Sequence, residues 1–481
     1  MSTLISYSPR TGEEIGRYID SSAEQVQEAV ARAQIGAKHW QAIGFGGRKA
    51  ILKQWAALIG SRMDEIAELI AAETGKPKSD AMLEISLTLS HLSWAAKKAP
   101  RYLGTSRRAP GILLANMSAK VEHVPYGVVG VIGPWNYPIF TPMGSIAYAL
   151  AAGNAVVFKP SEFTPGVGHW LGETFNQVAP NANVFFVVTG GAETGVALTH
   201  SAINKLAFTG STATAKKVAA ACATRMIPVV LECGGTDPAI IDADADIARA
   251  AENVLWGAMS NAGQTCIGME RVYVHEAVAD QFIAQIVAMG SELKAGVNYG
   301  PATMPSQLKV IDAHIQDAAQ RGATFLLGSA SSVQPPFVEP TIITDLAEES
   351  LAISEETFGP TLTITRVASM ADAIAKSNAS KYGLGASVWS KRNGQTIASQ
   401  LECGMVSINS VIAFAGVSTL PFGGTKDSGY GRIHGPEGLR EFTYMRSVVG
   451  PIFNLPITFT TFKRSAFADK VVKNASKFLA R

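Results

Sequence analysis

The stretch SNAGQTCIG, residues 260–268, seats Cys266 among small and polar neighbours, with Gly263 and Gly268 on either side; it is one of four cysteines in 481 residues. A thiol kept for packing more often sits in an apolar run, whereas a reactive thiol needs access and help in ionising. In LECGG, Glu232 falls at the end of a predicted parallel strand, where α/β sheets place their sites. A carboxylate there is either a buried ion-pair partner or a base with a raised pKa. In GPWNYP, Asn136 is pinned between Pro134 and Pro138, which offers a fixed amide donor of the kind an oxyanion demands. FKPSE sets Lys159 and Glu162 after a further strand end, and FTGSTATA puts Ser211 and Thr212 at a helix N-terminus suited to a phosphate. The common dinucleotide fingerprint GxGxxG is absent. Each feature has an ordinary reading: a loop thiol, a turn asparagine, a solvated charge pair, a helix cap. Thiol, carboxylate, amide donor and phosphate-ready helix at successive strand ends together form a reactive constellation.

The elements that must carry them are legible as alternation. Ser21 with Glu24 reads as a capping box opening a helix that runs on through Val26, Ala29, Val30 and Ala33. One longer helix is expected along Ile51, Trp55, Leu58, Ile59, Ile66, Leu69 and Ile70, stopping at Thr74-Gly75-Lys76-Pro77. From about residue 112 the texture becomes strand-like. NAVVFKP (154–160), NVFFVVTGG (183–191), KLAFTGS (205–211) and IPVVLECGG (227–235) read as buried strands separated by helices, the pattern of parallel βαβ units. A second alternating block runs from Gly235 to about residue 445, with RVYVH, GATFLLG, TIITD, LTITRV and GASVWS as its strands.

At 481 residues the chain is too long for one core, and about three domains is the expectation. Hydrophobic residues at 47% and charged ones at 17% describe a packed globule rather than a disordered chain. A net charge of +2 argues against a general nucleic-acid-binding surface. Cys222, Cys233, Cys266 and Cys403 show neither CxxC pairing nor metal-ligand spacing with histidine, so no metal and a reducing compartment are expected. No secretory signal or membrane-length apolar run is found, and the cytoplasm is the expected location. The last nineteen residues carry six Lys or Arg against one Asp, with apolar residues at helical spacing. Docking on the same or a neighbouring subunit is the expectation for this basic helix, and contact with an anionic membrane surface the alternative.

ETGKP (73–77), PWNYP (134–138), KPSE (159–162), FTGS (208–211), LECGG (231–235), GQTC (263–266), EETFGP (355–360) and PFGGTKDSGYGR (421–432) occur in an order and spacing that resemble the aldehyde dehydrogenase superfamily, from about Tyr7 to Val449. The resemblance implies an α/β fold: a Rossmann-like NAD-binding domain (1–111 and 126–234), an α/β catalytic domain (235–445), a small β oligomerisation segment (112–125 and 446–461), and the basic C-terminal helix (462–481). It implies oxidation of an aldehyde to its acid, with NAD as hydride acceptor, through a thiohemiacetal and a thioester on Cys266. Glu232 would be the general base, Asn136 the oxyanion donor, and Lys159 an aid to proton transfer or a contact to the adenosine ribose. Trp135, Lys159, Glu162, Gly210, Ser211, Glu356 and Phe358 match cofactor-binding positions. The charge of Glu162 favours NAD, with NADP the second possibility. Where the family usually reads LGGK after the base, this chain carries Thr236, which removes a lysine but not the base.

Tyr137, Thr141, Gly144, Ser260, Ile267, Phe414 and Phe422 match positions lining the substrate tunnel in relatives. Gly144 in place of a bulky aromatic suggests a wide tunnel. Ser260, where the succinate-semialdehyde branch has an arginine, argues against that substrate. A medium-chain aliphatic or aromatic aldehyde is expected, and a homodimer or homotetramer. The rivals are a succinate-semialdehyde-type enzyme, a CoA-acylating relative, a thioester hydrolase, and a binding protein of the same fold that has lost activity.

Overall fold

The computed structural model describes residues 2–480. Two large sheets carry the chain. The first has six strands in the order Gly429–Tyr430, Val229–Cys233, Lys205–Gly210, Val128–Ile132, Ala155–Lys159, Phe185–Val187. Its four other neighbour pairings are parallel, and only Gly429–Tyr430 runs antiparallel, against Leu231 and Glu232. The second sheet orders Thr324–Leu327, Thr341–Thr344, Thr361–Val367, Met269–His275, Asp237–Ile241, Gly385–Trp389 and Met405–Ile408, parallel except at its Thr324–Leu327 edge. Continuous Val, Ile, Ala and Phe runs suit strands covered on both faces, and Ala155–Lys159 is buried at every position. A third, antiparallel sheet of three strands joins Ser106–Arg108, Met117–Pro125 and Thr443–Pro451.

Local details depart from the sequence expectations for identifiable reasons. The first helix, Ala23–Ala42, is capped by Ser22 with Gln25, not by Ser21 with Glu24. The expected long helix is two, Gly44–Ser61 and Met63–Thr74, broken at Arg62. Gly75 then stops the second in a left-handed conformation at φ 77°. A 26-residue helix, Lys78–Leu103, follows, and it packs on the helix Phe140–Ala152 beside the site. Two strands of the second sheet, Asp237–Ile241 and Met405–Ile408, were not expected. The first of these contains Pro238, which a central strand tolerates here because the register shifts between Asp237 and Pro238. NVFFVVTGG forms only the short strand Phe185–Val187. Among the described residues no helix is long and apolar enough to cross a membrane.

Candidate active site

The first sheet delivers its functional residues from the carboxyl ends of adjacent parallel strands, where loops converge. Glu232 and Cys233 end one strand, Thr209 and Gly210 the next, and Trp135 and Asn136 follow the third. Cys266 reaches this edge from the other sheet, on the loop between the tight turn Ser260–Gly263 and the strand Met269–His275.

Three consecutive residues before the cysteine adopt left-handed conformations: Asn261 (φ 52°), Ala262 (φ 55°) and Gly263 (φ 70°). Such backbone costs about 1–3 kcal/mol per non-glycine residue and persists only where the surroundings hold it. The hold here is a lattice of amides. Asn261 Nδ2 donates to the carbonyls of Asn136 (3.2 Å) and Gln264 (3.0 Å), and Gln264 Nε2 donates back to Asn261 O at 2.9 Å. Asn136 Nδ2 donates to Gln264 O at 2.9 Å, so one of its two N–H bonds is fixed and its amide orientation with it. Gly263 is required for space as well: a Cβ there would lie 1.9 Å from the carbonyl oxygen of Gly359. Glycine at 263 therefore permits close approach of the loop that carries Glu356 and Phe358.

Both carboxyl oxygens of Glu232 are buried without a hydrogen-bond partner in the protein. Burial pushes its pKa up to about 8, against a weaker lowering by the Cys266 thiol. Burial likewise raises the Cys266 thiol well above its usual range, and the neighbouring Glu232, Asp237 and Glu356 raise it further. Thiol and carboxyl therefore compete for a negative charge that neither holds easily, so their protons are a shared property. Cys266 nonetheless keeps accessible surface, while Cys222 and Cys233 are buried.

On one side of Cys266 lies a cleft of about 590 Å³ lined by Trp135, Asn136, Thr141, Gly210, Ser211, Glu232, Glu356 and Phe358 among others. Trp135 and Phe358 meet edge to face, with ring centres 5.6 Å apart. Ser211 caps the helix Thr212–Ala223 through Thr214 N, and Gly210 and Ser211, at that helix's N-terminus, line the cleft. Glu356 accepts a hydrogen bond from Gly235 N at 3.0 Å and leans over Gly234, whose Cβ would collide with it. This donor set, a helix N-terminus, a carboxylate and two aromatic rings, fits a dinucleotide. Lys159 and Glu162 stand apart from the cleft lining. Lys159 Nζ donates to Pro160 O at 2.9 Å and faces Glu162 at 3.6 Å, and burial lowers its pKa.

On the other side lies an apolar tunnel of about 830 Å³, whose wall includes Tyr137, Thr141, Trp256, Ser260, Ile267 and Phe422. Thr141 and Cys266 line both spaces. Two sequence expectations need correction here. Phe414 packs behind Phe422, with ring centres 6.4 Å apart, and does not form the wall. Gly144 does not widen the tunnel, because His434 fills the space: a Cβ at 144 would lie 2.6 Å from His434 Nε2. His434 lies against His91, with ring centres 3.9 Å apart and planes tilted by 46°, and neither of its nitrogens has a hydrogen-bond partner among the described residues. Burial keeps its pKa well below the usual value, so it is neutral at pH 7.

Sequence reasoning missed three residues that hold the site. Lys76 and Glu84 form a fully buried ion pair at 2.9 Å; Lys76 also donates to Asn136 O at 2.7 Å, and Glu84 accepts from Ile139 N and Phe140 N. The pair thus fixes the loop of Asn136 from beneath. Glu270, four residues after the cysteine, accepts from Thr357 N at 3.0 Å and from Phe358 N at 2.9 Å. It holds Phe358 at φ 52° and ties the thiol's strand to the Glu356 loop. The available signals were Lys76 within the motif ETGKP and a glutamate inside the strand MERVYVH.

With this geometry in place, the comparisons agree. The profile of the aldehyde dehydrogenase family matches residues 2–448. A protein of Mycolicibacterium smegmatis, provisionally named succinate-semialdehyde dehydrogenase [NADP(+)], is 36% identical over 91% of this chain and 87% of its own length. A 4,4'-diapolycopene aldehyde oxidase of Methylomonas sp is 36% identical over 92% of this chain and 85% of its own. The crystal structure of an NAD-dependent aldehyde dehydrogenase from Sinorhizobium meliloti superposes with a TM-score of 0.90 at 31% identity, covering 96% of this chain and 93% of that one. The chain belongs to the aldehyde dehydrogenase family, has its fold, and shares its use of NAD or NADP.

Proposed function

We propose that the protein oxidises a medium-chain aliphatic or aromatic aldehyde to the carboxylic acid, with NAD preferred, through Cys266 and Glu232. The observation that carries this reading is the position of Cys266 on the shared wall of an apolar tunnel and a polar cleft, beside an unpartnered Glu232. The tunnel would deliver the carbonyl carbon to the sulfur. Glu232, once ionised, takes the thiol proton directly or through water, and the thiolate adds to the carbonyl. The oxyanion is met by the remaining N–H of Asn136 Nδ2 and by the Cys266 backbone N–H. A nicotinamide bound in the cleft would supply the hydride acceptor. Loss of hydride from the former carbonyl carbon leaves a thioester on Cys266, and Glu232, having passed the thiol proton to solvent, then deprotonates the water that hydrolyses it.

Gly210, Ser211, Glu356, Phe358 and Trp135 would hold the cofactor, with Lys159 and Glu162 on the adenosine side. The negative charge of Glu162 repels a 2′-phosphate, which supports NAD over NADP. Among the described residues the only Lys or Arg on the tunnel wall, Lys76, is already committed to Glu84, so a substrate carboxylate or sulfonate finds no free cation from them there. That favours apolar aldehydes over succinate semialdehyde. We assign cofactor binding to 1–111 and 126–234, catalysis to 235–445, and assembly into a cytoplasmic homodimer or homotetramer to 112–125 and 446–461. The exposed Met445 and Val449 of the third sheet support the last assignment. The test is NADH and NADPH formation across an aldehyde panel with Cys266→Ala as control. Apolar aldehydes leading in kcat/KM with NAD is the expected result; short semialdehydes leading would overturn the substrate reading.

A further inference from the structure

The C-terminal helix Ala466–Leu479 is an element the active site does not use. On its own chain it rests against the turn Ile112–Leu114, and Ala468 is its one buried side chain. Phe467, Val471, Ala475 and Phe478 recur at spacings of four, four and three, which puts them on one stripe. Phe467 is 63% exposed and Phe478 67%, so the outer edge of that stripe faces away from the protein. Leu479 is exposed too, as are Ile112, Leu113 and Leu114 beneath the helix. Phe467, Phe478 and Leu479 thus make an apolar edge on the helix, of a kind that soluble surfaces rarely leave open.

Charge identifies what would cover it. Lys470, Lys473 and Lys477 form a second stripe alongside the apolar one, and Lys463 and Arg464 precede the helix. Asp469 is the helix's sole acid, and it pairs with Arg464 at 2.5 Å. Residues 463–481 hold six of the chain's 41 Lys and Arg but only one of its 39 Asp and Glu, so this tail carries more positive charge than the whole chain's +2. The remainder of the molecule is net acidic. Phenylalanines on one face and lysines on the adjoining one are what an interfacial helix presents to a bilayer, rings among the acyl chains and ammonium groups at the headgroups. A second copy seated on the same face across a two-fold axis would instead bring the basic stripe against itself.

We propose that the outer face of the helix Ala466–Leu479 is a docking surface for an anionic lipid bilayer, on which the enzyme lies peripherally. The docking stands independently of the catalytic reading, because it is measured without the reaction. In sedimentation with vesicles of equal parts phosphatidylcholine and phosphatidylglycerol, the full chain is expected to pellet at low salt. It should stay in solution with pure phosphatidylcholine, and should be released in about 1 M salt, where screening acts within about 3 Å. K470Q/K473Q/K477Q should lower partitioning about a hundredfold, since each lysine near an anionic surface contributes about fivefold. F467S/F478S should lower it at least about tenfold. These side chains are exposed, so both variants should keep the wild-type melting temperature. Failure of the wild-type chain to pellet with anionic vesicles would overturn the proposal, as would pelleting unchanged in both variants. A smaller oligomer for F467S/F478S, with no vesicle binding by wild type, would show a second copy on this face and overturn it equally.

Discussion

The two walls that meet at Cys266 treat charge in opposite ways. In the tunnel, Lys76 and Glu84 are buried but satisfy each other and three backbone groups, so neither of them offers the substrate a free charge. In the cleft, Glu232 is equally buried, and neither carboxyl oxygen has a hydrogen-bond partner among the described residues; its neighbour is the Cys266 thiol. A buried ion pair that is fully bonded acts as scaffold, while a buried carboxyl left unbonded keeps its proton to near neutral pH and is free to exchange it. The contrast shows which buried charges hold the site together and which are available for chemistry.

Breaking the cleft side should have the largest effect. Cys266→Ala is expected to reduce NADH formation on the order of 10⁴-fold or more while NAD binding, followed by protein fluorescence, persists. Asn136→Ala should lower kcat by about 10²–10³-fold with a smaller change in KM, because in the proposed reaction its second N–H meets charge that exists only after attack. On the tunnel side the loss should appear first as stability. Lys76→Met leaves Glu84 buried and alone, at a cost of about 3–5 kcal/mol in denaturant unfolding, and K76M/E84L should recover much of it. Equal instability in the single and double variants would remove the scaffold role.

The pH dependence sharpens the same comparison. Glu232 must be ionised to act as a base, so kcat should climb with pH through about 8 and level off above it. Stability should move the other way. A carboxyl whose folded pKa is raised binds its proton more tightly in the folded protein, so its contribution is complete below the unfolded value and is lost as pH rises through the folded one. Glu232 and Asp237, raised by burial to about 8 and about 7, should therefore make the protein less stable between roughly pH 5 and pH 9. Glu232→Gln should flatten part of that slope in urea titrations at successive pH values.

The fold's parallel strands were legible because a strand covered on both faces writes itself as an unbroken apolar run, as AVVFK does at 155–159. The chemistry was legible where the residue type is unusual at a strand end, as at Glu232 and Cys266. What escaped depends on contacts distant in sequence. Lys78–Leu103 buries Glu84, Thr88 and His91 along with its apolar residues, so its inward face does not read as a hydrophobic stripe. Asp237–Ile241 carries a proline that local rules place outside a central strand. His434 fills the space that Gly144 alone suggested was open, across 290 positions of sequence, and Glu270 bonds a loop 87 residues away. No local pattern reports such pairings.

The most direct test of the account is the first turnover of Glu232→Gln, followed by rapid-mixing absorbance of NADH and by intact mass of the quenched protein. The account predicts one burst of NADH per active site, slower than wild type if Glu232 also takes the thiol proton. Turnover should then stall with an acyl group's mass added at Cys266. Steady turnover at the wild-type rate, with no adduct, would contradict the role of Glu232 and the pairing of thiol and carboxyl on which the account rests.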